Sequence, residues 1–123
     1  MTEIAVPYRA RAEVSRGVNA ALDRRYPARI ARQLALAHAL QKRVNSGEFA
    51  DYADMSRALG FTRARVTQIM DLLLLAADIQ EEILFLEVLP GVQPISERGL
   101  REKVLRSLDW IEQRRHWSGL RHA

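Results

Sequence analysis

Along residues 28–123 apolar positions recur every three or four residues, the spacing that gathers them on one side of a helix. Ile30, Leu34, Ala37, Leu40, Gln41 and Val44 trace a first helix from Ala28, with Pro27 suited to its first turn and Asn45, Ser46 and Gly47 closing it. Met55 and Leu59 define a short second helix, on which Ser56 and Ala58 are small enough for close crossing. Gly60 ends it, because a sharp turn needs a residue that tolerates positive φ. Phe61 is expected to fill the space between this helix and the next, which Thr62 caps and which opens at Arg63. Val66, Ile69, Met70 and Leu73 form the buried stripe of that next helix. Asp78 then reads as the N-cap of a helix reaching about Leu86, with Ile79, Ile83, Leu84 and Leu86 buried. Pro90, Gly91 and Pro94 mark a loop, Ser96 caps a helix carrying Leu100, Val104 and Leu105, and Asp109 opens a last one with Trp110, Ile111, Trp117 and Leu120. The pattern predicts an all-α fold, a compact multi-helix domain of five to six helices over residues 28–123, built around a helix-turn-helix and preceded by a basic arm over residues 1–27.

The chemistry concentrates in residues 51–73, DYADMSRALGFTRARVTQIMDLL. With the stripe of the second of these helices turned inward, Arg63, Ala64, Thr67 and Gln68 face outward near its N-terminus. Arginine can bond the O6 and N7 of guanine, glutamine can bond adenine, and the methyls of alanine and threonine can touch that of thymine. These four are therefore the candidates to read base edges in a major groove of double-stranded DNA. Tyr52, Ser56, Arg57 and Thr62 are placed for phosphate contact, and Arg65, between the buried and outward arcs, fits either role. Arg29 and Arg32, on the surface of the first long helix, join the backbone-contacting set. The same register also occurs in helical hairpins that never touch nucleic acid, where outward Arg and Gln are simply solvated.

Composition narrows the choices. A chain of 123 residues suits one domain. The absence of cysteine excludes disulfides and thiolate-held metals and suits a reducing cytoplasm. No apolar run has the length of a membrane span or the position of a signal peptide, so a soluble, cytoplasmic protein is expected. The net charge of +4 is unevenly spread: residues 1–50 hold nine Lys or Arg against four Asp or Glu, and residues 51–123 hold ten against eleven. Arg9, Arg11, Arg16, Arg24 and Arg25 punctuate the arm, where a short helix between Arg16 and Tyr26 is allowed. Such an arm could follow phosphates or enter a minor groove, and a solvated terminus fits it equally.

His38 reads as a packed histidine and not a metal ligand, with His116 and His122 the only others. Asp78, Glu81, Glu82 and Glu87 form an acidic face expected to point away from phosphate. Glu81 and Glu82 diverge by about 100° around a helix, which argues against a catalytic carboxylate pair. Arg114, Arg115 and His116 beside two tryptophans suit a phosphate contact, a dimer contact, or tryptophans that seal the base of the core. With no cysteine nucleophile, no His-x-x-x-His pair and no glycine-rich phosphate loop, neither an enzyme nor a cofactor or metal site is expected.

The run from Asp51 to about Leu100 resembles the helical DNA-binding domain of the ParB and KorB group of plasmid-partition and repressor proteins. MSRALGFTRARVTQIMDLLLL followed by ADIQEEIL is similar to that group's helix-turn-helix and succeeding helix, and PISERGLRE to the segment where Ile-Ser precedes the next one. The likeness covers 50 of the 123 residues. It implies operator or centromere-type DNA binding, usually as a dimer, through Thr62, Arg63, Ala64, Arg65, Thr67 and Gln68. The arginine-rich Gly-Glu-Arg-Arg box of the group's nucleotide-binding domain is absent, so a nucleotide-driven clamp is not implied. The expectation is a stand-alone module that binds duplex DNA as a homodimer and serves as a regulator or accessory factor, for example in transcription regulation, of a plasmid, phage or mobile element. The alternative is a helical adaptor for a recombinase or transcription complex.

Overall fold

The computed structural model describes residues 24–93 and 95–121. Six α-helices carry most of them: α1 (Arg29–Asn45), α2 (Tyr52–Leu59), α3 (Arg63–Met70), α4 (Ala77–Leu84), α5 (Glu97–Lys103) and α6 (Trp110–Arg121). A single 3-10 turn over Asp71–Leu74 links α3 to α4. Among the described residues the only sheet is an antiparallel pair of two-residue strands, β1 (Tyr26–Pro27) and β2 (Glu87–Val88), with Tyr26 opposite Val88 and Pro27 opposite Glu87. The all-α expectation therefore stands. Most of the basic arm, and all but Arg24, Arg25 and Tyr26 of the short helix allowed there, lie outside the described residues, and Tyr26 is in a strand. Pro27 is also in that strand and not in the first turn of α1. Ala28 takes the cap position of α1, and its N–H donates to the Leu86 carbonyl at 2.8 Å.

Helix α1 is the spine of the molecule. Its 17 residues span about 25 Å, and its apolar stripe serves two cores in succession. Ile30, Ala31 and Leu34 join Leu72, Leu75, Ile79, Ile83, Leu100, Val104 and Trp117, whereas Ala37 and Leu40 join Phe49, Met55, Val66, Ile69 and Met70. Leu73 packs against both clusters. The second cluster is the floor beneath α2 and α3, so these two helices rest on the C-terminal half of α1.

Several expectations are corrected by long-range contacts. Phe61 does not fill the gap between α2 and α3; it is 37% exposed, and Phe49, from the loop before α2, is buried in that cluster instead. Asp78 is not the N-cap of α4. The cap is Ala76, which has no side chain to offer, and the Ala76 N–H is met by Gln113 Oε1 of α6 at 2.8 Å. Helix α4 ends at Leu84, so Leu84 is exposed, Phe85 lies on the surface, and Glu87 enters the strand pair. Of the two tryptophans only Trp117 is in the core; Trp110 and Ile111 are exposed. His38 is exposed rather than packed, its Nε2 2.8 Å from Gln80 Oε1. Ser96 and Asp109 do cap α5 and α6, accepting from Gly99 N and Ile111 N at 2.9 Å each.

Candidate nucleic-acid interface

The turn between α2 and α3 is built by local chemistry. Asp51 caps α2 by accepting from Asp54 N at 2.8 Å, and Asp54 reaches back to accept from Ala50 N at 3.0 Å. This is a reciprocal arrangement of the capping-box kind, with two otherwise free N–H groups met. Gly60 ends α2 in the left-handed conformation, φ 70° and ψ 22°. The Ser56 hydroxyl donates to the Phe61 carbonyl, closing the turn, and Thr62 Oγ1 accepts from Arg65 N at 3.1 Å to start α3. Two helices of eight residues are thus joined by three, with both ends of the turn capped.

On α3 the polar and apolar edges separate cleanly. Val66, Ile69 and Met70 are no more than 2% exposed. Arg63, Ala64 and Thr67 lie exposed on the other side, and Gln68 is half-buried. No acidic residue occupies the first turn, so the positive end of the helix dipole is uncompensated by a side chain.

The residues around α3 divide by what their atoms are free to do. Arg57 projects from α2, its side chain 69% exposed and only loosely paired with Asp54 at 3.7 Å. Tyr52 is 41% exposed at the start of α2. Thr62 spends an oxygen lone pair on its cap and keeps its hydroxyl proton to donate, as a phosphate requires. Ser56 has the opposite balance: its proton is committed to the Phe61 carbonyl, so it has no donor left for phosphate. Arg29 and Arg32 of α1 are exposed and line an open groove of about 450 Å³ with Gln33, Leu36, Phe61, Arg65 and Ile69. The exposed ring of Phe61 forms part of that groove. The structure thereby brings the arginines of α1 alongside the start of α3, across more than 30 residues of sequence.

Comparisons with family models, with curated proteins and with solved structures return no match. The functional reading therefore comes from the site itself.

Arg65 is the sequence candidate whose position changes its meaning. Its guanidinium turns inward and donates to Glu97 Oε2 of α5 at 2.5 Å and to Gln33 Oε1 of α1 at 2.7 Å, with Gln68 Oε1 at 3.4 Å. Arg101 shares the Glu97 oxygen at 2.6 Å. Arg65 is thus a strut between three helices. Nothing local in the sequence marks this, because both main partners lie 32 residues away.

The acidic face of α4 is also more than a solvated surface. Asp78 pairs with Arg114 at 2.9 Å, and Glu82 accepts from Trp117 Nε1 at 2.8 Å, with Arg121 at 3.9 Å. These groups hold α6 in place. Arg114 is consequently tied to Asp78, while Arg115 and His116 remain exposed. No group of three or more His, Cys, Asp or Glu among the described residues is placed to hold a metal ion, and no helix among them is long and apolar enough to cross a membrane.

Proposed function

We propose that this chain binds double-stranded DNA in a sequence-dependent way, with α3 in the major groove, as a regulator or accessory factor of a plasmid, phage or mobile element. The observation that carries the reading is the exposure of Arg63, Ala64 and Thr67 on a helix whose opposite edge is buried. Arg63 and Gln68 supply hydrogen bonds to purines, and Ala64 and Thr67 supply methyl contacts. Arg57, Thr62, Tyr52, Arg29 and Arg32 are assigned to the phosphates on either side, which set register without reading sequence. Ser56 is left out of the contact set because its single donor is used internally, and Arg65 because its charge is paired with Glu97.

Duplex titrations at increasing salt test this. Each arginine–phosphate contact contributes about −0.9 to the slope of log K against log salt, so the five assigned backbone residues, three of them charged, require a steep negative slope. A slope near zero is incompatible with the assignment. Arg63→Ala should relax preference at one or two base pairs at a cost of about 1–3 kcal/mol, while Arg57→Ala weakens all sequences alike.

A second reading, a helical adaptor that binds a protein, is favoured by one observation: Leu108, Trp110 and Ile111 expose 68%, 47% and 68% of their surface at the start of α6. Weak, sequence-blind DNA binding would favour it. The homodimer expected for reading two half-sites is compatible with either.

A further inference from the structure

We propose that Glu97 is the positioning residue of the reading helix: it holds the partly exposed Arg65 guanidinium against α5 and α1 and so neutralises a positive charge at the surface that meets DNA. This rests on the DNA-binding reading above and concerns the regulation of that same surface. Arg65 stands between exposed Ala64 and buried Val66, close to the N-terminus of α3. It already lines one groove with Arg29 and Arg32, and without Glu97 its charge would add to theirs there uncompensated. Arg65 bridges α5 and α1 through Glu97 and Gln33.

One carboxylate restrains two arginines, since Arg101 donates to the same Glu97 oxygen. The shelter is unlike that of the other pairs. The Glu97 side chain is 14% exposed, whereas the carboxylate partners in the pairs Arg57–Asp54 and Arg98–Glu102 are 37% and 59% exposed. A sheltered pair is screened less by salt and persists where surface pairs fade. The second carboxylate oxygen, Oε1, is buried without a partner, and Glu97 lines a cavity of about 230 Å³ together with Arg29, Gln33, Gln93 and Ser96.

The functional consequence follows from what a free guanidinium does beside DNA. Attraction to phosphate is the same for every sequence, so each added cation raises background binding without adding discrimination. By engaging Arg65, Glu97 leaves recognition to Arg63, Ala64, Thr67 and Gln68 and limits the sequence-blind term.

The test uses the full chain and a duplex of random sequence, with binding followed by fluorescence anisotropy over a salt series. Glu97→Gln keeps the shape and removes the charge. It should steepen the slope of log K against log salt by about one to two, at 0.9 per arginine released, and raise affinity at 0.1 M salt about eight- to sixtyfold. Adding Arg65→Met should remove the share of Arg65. A gain that survives Arg65→Met but disappears with Arg101→Met overturns the assignment to Arg65. A steep wild-type slope that Glu97→Gln leaves unaltered overturns the inference and leaves DNA binding standing. Flat slopes in both proteins overturn the DNA reading, and the inference with it. Arg65→Lys checks the pair without touching Glu97: lysine keeps the charge but lacks the planar fork that serves Glu97 and Gln33 together. It should steepen the slope in the same sense, and an unchanged slope counts against the proposal.

Discussion

Gly60 adopts φ 70°, and a Cβ built on it would meet no atom within 4 Å. The glycine is therefore required by the backbone and not by crowding. Gly60→Ala should destabilise the fold by about 1 kcal/mol, the cost of a left-handed alanine, readable as a lowered unfolding midpoint. Gln113 presents a different constraint. It is the only fully buried polar side chain among the described residues, and its amide accepts from Ala76 N while donating to the carbonyls of Leu74 at 3.2 Å and Ser107 at 2.9 Å. Gln113→Leu keeps the bulk but leaves the buried Ala76 N–H and two partly buried carbonyls without their partner. At about 1–3 kcal/mol for the buried N–H left unmet, and less for carbonyls that water can reach, the loss should be about 2–3 kcal/mol in chemical denaturation. A loss below 1 kcal/mol would show that water or a shifted backbone meets them.

At the scale of elements, the docking of α6 on α4 responds to pH. The hydrogen bonds from Arg114, before any other influence, hold the Asp78 carboxyl below its ordinary pKa of 3.8. A carboxylate whose pKa is depressed by folding lends stability that is present above the unfolded pKa and is lost as pH falls through the lower, folded one. The contact of α6 should therefore loosen below the ordinary carboxylate range, by a small amount because the pair is largely exposed. Near-ultraviolet circular dichroism of the Trp117 environment should follow the change, and Asp78→Asn should flatten it. The same contacts explain what the sequence made legible. Helices α2 and α3 are readable because Gly60, Thr62 and the Val66–Ile69 stripe act within a dozen residues of one another, whereas the Asp51 cap carries no such mark. The start of α4 is not legible because its cap residue is Ala76, whose N–H is met by Gln113, 37 residues on, and the exposure of Phe61 is not legible because Phe49 is the phenylalanine buried in that cluster. The strut at Arg65 and the β1–β2 pair likewise depend on partners that no local pattern announces.

Across the whole molecule, α1 joins two cores with separate duties. The cluster around Met55, Val66 and Ile69 supports α2 and α3, and the one around Ile83, Leu100 and Trp117 anchors α4, α5 and α6. Arg65, Glu97 and Gln33 tie the two together at the surface, so the orientation of α3 depends on helices remote from it in sequence. The central claim is that the outward edge of α3 reads base pairs. Selection of bound sequences from a random duplex pool, carried out in parallel with the wild-type chain and Arg63→Ala, tests it most directly. The account predicts a defined motif for the wild type and loss of preference at one or two of its positions, centred on guanine, in the variant. Recovery of no motif by the wild type, or of the same motif at every position by both proteins, would contradict it.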